Sequence, residues 1–243
     1  MKLITPGMKM ADVIHGNYLL LPVINRFGIR LGFGEKTVRE VCNDHTIDVD
    51  FFVAMLNTFS NENYFPAKKI QTFNVLTILQ YLQRTHEYYL NTLVPLIEQH
   101  LKTLLARSGR RNKSLTDVKK FFLDYKKELV AHFKLEDTVT FPYIEAVYNA
   151  YHHQTDKTVR NQLSSYSMKT YQREHTNIDE KLLDLKNILI KYIHGDFDDA
   201  SCNAIIFELF RLEKDIQDHT RIENNILLPL VTEMEQALKI KMR

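Results

Sequence analysis

Two stretches of this chain place the same metal-binding side chains at the same spacing. Residues 132–144 read HFKLEDTVTFPYI and residues 219–231 read HTRIENNILLPLV. Both fit His-x3-Glu-x5-Pro followed by apolar residues. A lone histidine stands a similar distance upstream of each, His86 before His132 and His175 before His219. The chain therefore states one pattern, His…His-x3-Glu, twice, and a repeat of this kind outweighs any single motif. Residues i and i+4 of a helix share one face, about 6 Å apart along the axis. His132 with Glu136, and His219 with Glu223, can thus each point into one volume.

Four imidazoles and two carboxylates are borderline-to-hard donors, a set that suits iron, with manganese second and zinc allowed on ligand type alone. Two carboxylates bridging two metals, with two imidazoles on each, leave room for an exogenous ligand. Among ten histidines, one His-x3-Glu pair would arise by chance and sit on a solvated helix face. The duplicated pair, with its matching proline and upstream histidine, is harder to explain that way. The apolar flanks Phe133, Leu135, Ile222 and Ile226 are expected to turn these segments inward. Burying the charged groups without a metal would cost several kcal/mol each.

Such a site needs long helices to carry it. Residues from about Thr72 to Arg107 keep a 3.6-residue apolar period, with Pro95 expected to bend the helix. SGRRNKS reads as a loop, and Ser114 with Asp117 as an N-cap pair for a second helix reaching about Tyr148. A third helix is expected over about 162–193, and a fourth over about 198–240 after Gly195-Asp196. Pro142 and Pro229 should interrupt the second and fourth near their ends. Four long helices with short loops make a four-helix bundle.

Upstream, residues 1–60 read as a small helical domain. Gly28, Gly32 and Gly34 break its apolar pattern, Thr37 is placed to cap TVREVCNDH, and Asp48 to open DVDFFVAMLNTF. The polar stretch 61–71, with Pro66, reads as a linker, and 72–243 as the bundle. The fold class is all-α.

Composition narrows the function. The chain has 243 residues, 44% hydrophobic and 26% charged, with a net charge of +2. Lys and Arg are spread evenly, so no basic stripe points to nucleic acid. No apolar run approaches the roughly 18 residues of a membrane span. The N-terminus lacks the apolar core of a signal peptide. The two cysteines, Cys42 and Cys202, form no Cys-x-x-Cys pattern, which argues against a disulfide framework or a cysteine-ligated zinc site. A reduced, cytoplasmic protein is expected.

With these residues in hand, the C-terminal two thirds resembles the hemerythrin-like (HHE) cation-binding domain. The whole chain resembles the repair-of-iron-centres family of di-iron proteins, which pairs that domain with a small N-terminal one. The family's six ligands fall on His86, His132, Glu136, His175, His219 and Glu223. The resemblance implies a non-haem pair of irons: His86 and His219 on one, His132 and His175 on the other, with Glu136 and Glu223 bridging and an oxo bridge on oxidation. Spacing alone permits other pairings. The family's acidic residues near the site correspond to Glu128 and Glu174, as candidates for a proton or ion path.

In the N-terminal segment RFGIRLGFGEKTVREVC, Gly28, Ile29, Gly34 and Cys42 keep the family's places. Gly32 and Phe33 stand where it has paired cysteines. Their loss weakens any thiol-dependent step, and Cys42 reads as a buried helix residue. His100 lies too far along the first helix to join the site.

The function the resemblance implies is a nitrosative and oxidative stress response. The protein would help restore damaged iron–sulfur centres by delivering iron or consuming nitric oxide. Its partners would be a diatomic ligand, nitric oxide or dioxygen, and iron–sulfur proteins as clients. A second class is a non-enzymatic sensor or binding module for dioxygen, nitric oxide or iron. Tyr88 and Tyr89 follow His86, placed to line the pocket or carry an electron, or simply to pack. Oligomeric state is not readable.

Overall fold

The fold was described from a computed structural model, which covers residues 3–66, 72–108, 113–153, 166–174 and 179–241. The protein is all-α. Among the described residues there is no β-strand, only a single antiparallel bridge between Lys9 and Thr37. No described helix is long and apolar enough to cross a membrane. Contacts divide the chain into two units. One is Met1–Arg84 with Arg221–Leu230, the other Thr85–Thr220 with Val231–Arg243.

The first unit begins with α1 (Met10–Gly16), α2 (Leu20–Arg26), α3 (Val38–Asp44) and α4 (Val49–Ser60). Thr37 caps α3 as its sequence suggested. Its side chain accepts from the Glu40 amide while Glu40 reaches back to the Thr37 amide, a complete capping box. Asp48 opens α4 by accepting from the Phe51 amide at 2.7 Å. Between α2 and α3, Gly28, Gly32 and Gly34 hold φ values of 79°, 108° and 58°. Side chains rarely adopt such angles, so these glycines turn the chain where others would strain it. Phe27 anchors the core, its ring 4.8 Å from Phe52 and 5.0 Å from Tyr81. Cys42 is buried at the same core, and burial pushes its thiol up to about 12. It therefore stays protonated, a packing residue as expected.

The second unit is a bundle around one apolar core. Helix α5 (Val75–Tyr88) ends in it and continues through a π-helical turn, Tyr89–Leu93, into α6 (Val94–Arg107). Helix α7 (Lys113–Leu135) passes through a second π turn, Glu136–Thr140, into α8 (Phe141–His152). The third side contains α9 (Met168–Glu174) and α10 (Asp179–Tyr192). The fourth begins with α11 (Asp199–Ile222), which passes through a third π turn, Glu223–Leu227, into α12 (Leu228–Lys241).

Each side contributes buried residues at helical spacing. They include Ile97, Leu101 and Leu104 from α6, Val118, Phe122 and Leu129 from α7, Leu182, Leu185 and Leu189 from α10, and Ile205, Leu209 and Leu212 from α11. Four apolar stripes meeting in one core make a four-helix bundle.

Three local expectations are corrected. Helix α7 is already helical at Lys113, so Ser114 is a residue of the helix rather than its cap. Leu135 does not turn inward but is 47% exposed, whereas Phe133, Ile222 and Ile226 are buried. The prolines do not end their helices. Pro95, Pro142 and Pro229 each sit second in the helix that follows a π turn. A proline lacks an amide donor, and its ring crowds the carbonyl four residues back. A π turn closes on the fifth residue instead. The Val94 amide reaches the Tyr89 carbonyl, Phe141 reaches Glu136, and Leu228 reaches Glu223. Each helix thereby widens by a residue and continues.

Candidate metal centre

The π turns are the local reason the site exists where it does. Glu136 and Glu223 are each the first residue of one, and His86 lies about one turn before the one at Tyr89–Leu93. Short π segments inside α-helices are frequent at functional sites.

Four side chains converge. His86, Glu136, His219 and Glu223 each offer one ligand atom, and these atoms all lie within 4.8 Å of one another. Each residue is 1–2% exposed. The Nε2 atoms of His86 and His219 are 3.2 Å apart. His86 Nδ1 lies 2.9 Å from Asp137 Oδ1. An ionised carboxylate only accepts, so that contact fixes the ring proton on Nδ1 and turns the Nε2 lone pair toward His219.

Glu136 has two differently engaged oxygens. Its Oε2 is 3.4 Å from His86 Nε2, and its Oε1 is 3.3 Å from His132 Nε2. The Tyr171 hydroxyl donates to Oε1 at 2.9 Å. One carboxylate thus faces an imidazole with each oxygen. The surroundings are apolar and aromatic. Phe133 stacks on the His86 ring at 4.2 Å and 17°, and Phe141 lies on it at 5.5 Å and 11°. Tyr89 meets the His219 ring edge at 6.0 Å and donates its hydroxyl to Asp215 at 2.9 Å.

The donor set fits a metal. Two carboxylates at 1% exposure carry a desolvation cost of several kcal/mol each unless a cation lies against them. Imidazole nitrogens and carboxylate oxygens facing one small volume are a first-row divalent set, and iron belongs to it. Asp137 behind His86 supplies the outer carboxylate that commonly orients a ligating imidazole.

Of the six residues singled out by spacing, four form the cluster. His132 meets the far oxygen of Glu136, with its side chain 11% exposed. His175 lies outside the described residues. Glu128 is a surface residue in an ion pair with Lys181, its side chain 53% exposed. Glu174 is the last residue of α9, and its side chain lies outside the described residues.

Sequence reasoning missed three contributors. Asp137 was hidden because its partner, His86, lies on another helix and no spacing rule joins the two. Tyr171 comes from a separate short helix with no motif to mark it. Asp215 could have been found. It stands four before His219 as Glu128 stands four before His132, so the repeat is longer than its metal-binding core.

Residues 77–231 match the Hemerythrin HHE cation binding domain. A comparison with curated proteins finds no match.

Proposed function

Because the chain belongs to the hemerythrin HHE cation-binding family, we propose that this metal-binding bundle holds two irons and reacts with nitric oxide or dioxygen in a stress response that restores damaged iron–sulfur centres. The observation carrying the reading is Glu136. It is buried, with His86 and His219 grouped on one side and His132 at its other oxygen. Under the proposal, His86 and His219 hold one iron and His132 with His175 the other, while Glu136 and Glu223 bridge.

A reduced iron pair with an open position would bind a diatomic ligand and pass electrons to it. The chain's own residues do the rest. Asp137 holds the proton on His86 Nδ1 and keeps Nε2 available for a metal. Tyr171 holds Glu136 by one oxygen, so the carboxylate keeps its orientation whether or not it is loaded. Phe133 and Phe141 cover the His86 ring and exclude water from that side. His132 is the least buried of the described ligands and marks the side open to a small ligand. The free, buried Cys42 and Cys202 suit a reducing cytoplasm.

The experiment is metal content by plasma emission spectroscopy on untagged protein purified without oxygen, with an optical spectrum after air is admitted. About two irons per chain and near-ultraviolet absorption on oxidation are expected of such a site. One tightly held zinc, or no metal, would overturn the proposal. Nitric oxide turnover by the reduced protein separates a reactive centre from a sensing one.

A further inference from the structure

Arg221 stands between the two ligands of the second repeat, two residues after His219 and two before Glu223. Its guanidinium points away from them into a cradle of main-chain carbonyls. Nη1 donates to Thr58 at 3.1 Å. Nη2 reaches the carbonyls of Asn61 at 3.3 Å, Glu62 at 2.8 Å and Tyr64 at 3.2 Å. Its two hydrogens are shared among these three acceptors.

The acceptors have a physical reason to want a cation. Thr58 lies in the last turn of α4, where helix carbonyls lose their intrahelical partners and the dipole is negative. That last turn contains no basic residue of its own. Asn61, Glu62 and Tyr64 continue the chain as it leaves α4. A guanidinium stays charged and offers donors in a rigid fork, so it satisfies several carbonyls at once where an ammonium would hold fewer.

The other end of the side chain matters equally. Arg221 is the residue before the last of α11, and the π turn begins at Glu223. A π turn is an irregularity that surrounding contacts must hold in place. Arg221 ties the helix to these carbonyls immediately before that change of register, two residues from Glu223.

We propose that Arg221 is a positioning residue for the metal centre, coupling the chain leaving α4 to the His219–Glu223 turn. The proposal rests on the reading of these residues as metal ligands. Coupling of this kind is reciprocal: if the carbonyl cradle favours the loaded geometry, loading must steady the cradle.

The test uses the full chain and cobalt(II) or ferrous iron alone, without oxygen. Amide hydrogen exchange over residues 58–64 is followed with and without metal. Wild-type protein is expected to exchange more slowly in this segment when loaded. In Arg221→Ala that metal-dependent slowing disappears and metal affinity falls about tenfold, in the range seen when a ligand's outer support is removed. Arg221→Lys should recover part of both. A role confined to folding would change exchange in the two metal states equally.

If wild-type protein binds metal and the 58–64 amides do not respond, the inference fails while the metal centre stands. If wild-type protein binds no metal, the metal-centre reading fails and takes the inference with it. If Arg221→Ala does not fold, the wild-type comparison and Arg221→Lys still decide.

Discussion

The two copies of the repeat share a sequence pattern and differ in what surrounds it. In the first, running from Glu128 through His132 to Glu136, the acidic residue four before the histidine faces solvent and pairs with Lys181. The histidine keeps 11% of its side chain exposed. In the second, Asp215 occupies the matching place, is buried, and accepts the Tyr89 hydroxyl. His219 is buried, and Arg221 beside it is held by four carbonyls. The histidine and the upstream acid of the first copy are the more exposed, and those of the second are the more buried. A duplicated motif therefore repeats the donor types, while the neighbouring residues decide how deeply each copy is buried.

The largest effect expected is at the residue the two halves share. Glu136→Ala removes both oxygens that face the imidazoles, so if the centre holds the proposed pair of irons, its iron content should fall from about two per chain to nearly none. Metal analysis under anaerobic conditions measures it. Retention of both irons would show that Glu136 is not the bridge and that the halves do not meet through it.

Next comes an asymmetry between histidines. Under the proposed iron pair, His132→Ala is expected to lose one iron and keep the fold, because its side chain is the more exposed. His219→Ala lies at 2% exposure against Tyr89, Phe133 and His86. It should lose metal and also lower the unfolding free energy of the metal-free protein, by about 2 kcal/mol for a buried large-to-small change. Denaturant titration of both metal-free variants checks this. Equal losses would erase the distinction between the more exposed and the more buried copy.

A third effect tests the acidic positions directly. Tyr89→Phe removes the donor to a buried carboxylate and should cost about 1.5–3 kcal/mol of stability, the value of a hydrogen bond to a charged group. The same measurement on Glu128→Gln should give under about 1 kcal/mol, because that carboxylate is half exposed.

Much of this arrangement was legible in the chain. The four side chains that cluster, the bundle, the Thr37 and Asp48 caps and the buried character of Cys42 all follow from periodicity and spacing that local physics enforces. What escaped follows from departures from ideal periodicity. The π turns were announced by Pro95, Pro142 and Pro229, but a proline in a helix is usually read as an interruption, and only packing on both sides makes continuation the cheaper outcome. Leu135 was misjudged because an apolar residue beside a buried one need not share its face, and one helix position turns the chain by about 100°. Tyr171 and Arg221 act across long stretches of chain, where one sequence without relatives offers no signal of pairing.

The smallest effect is also the sharpest statement about the more exposed copy. Glu128 and Lys181 sit at 53% and 46% side-chain exposure, joined by an ion pair on the bundle surface. Water screens such a pair, ordering two long side chains opposes it, and its net worth is about 0–1 kcal/mol. At physiological ionic strength the Debye length is about 8 Å, so added salt should weaken even that remainder. A double-mutant cycle on Glu128→Gln and Lys181→Ala is therefore expected to give a coupling below about 0.5 kcal/mol that shrinks as salt rises. A coupling above about 2 kcal/mol, insensitive to salt, would mean the pair is shielded from water in solution. The first copy would then be as buried as the second, and ligand entry beside His132 would lose its support.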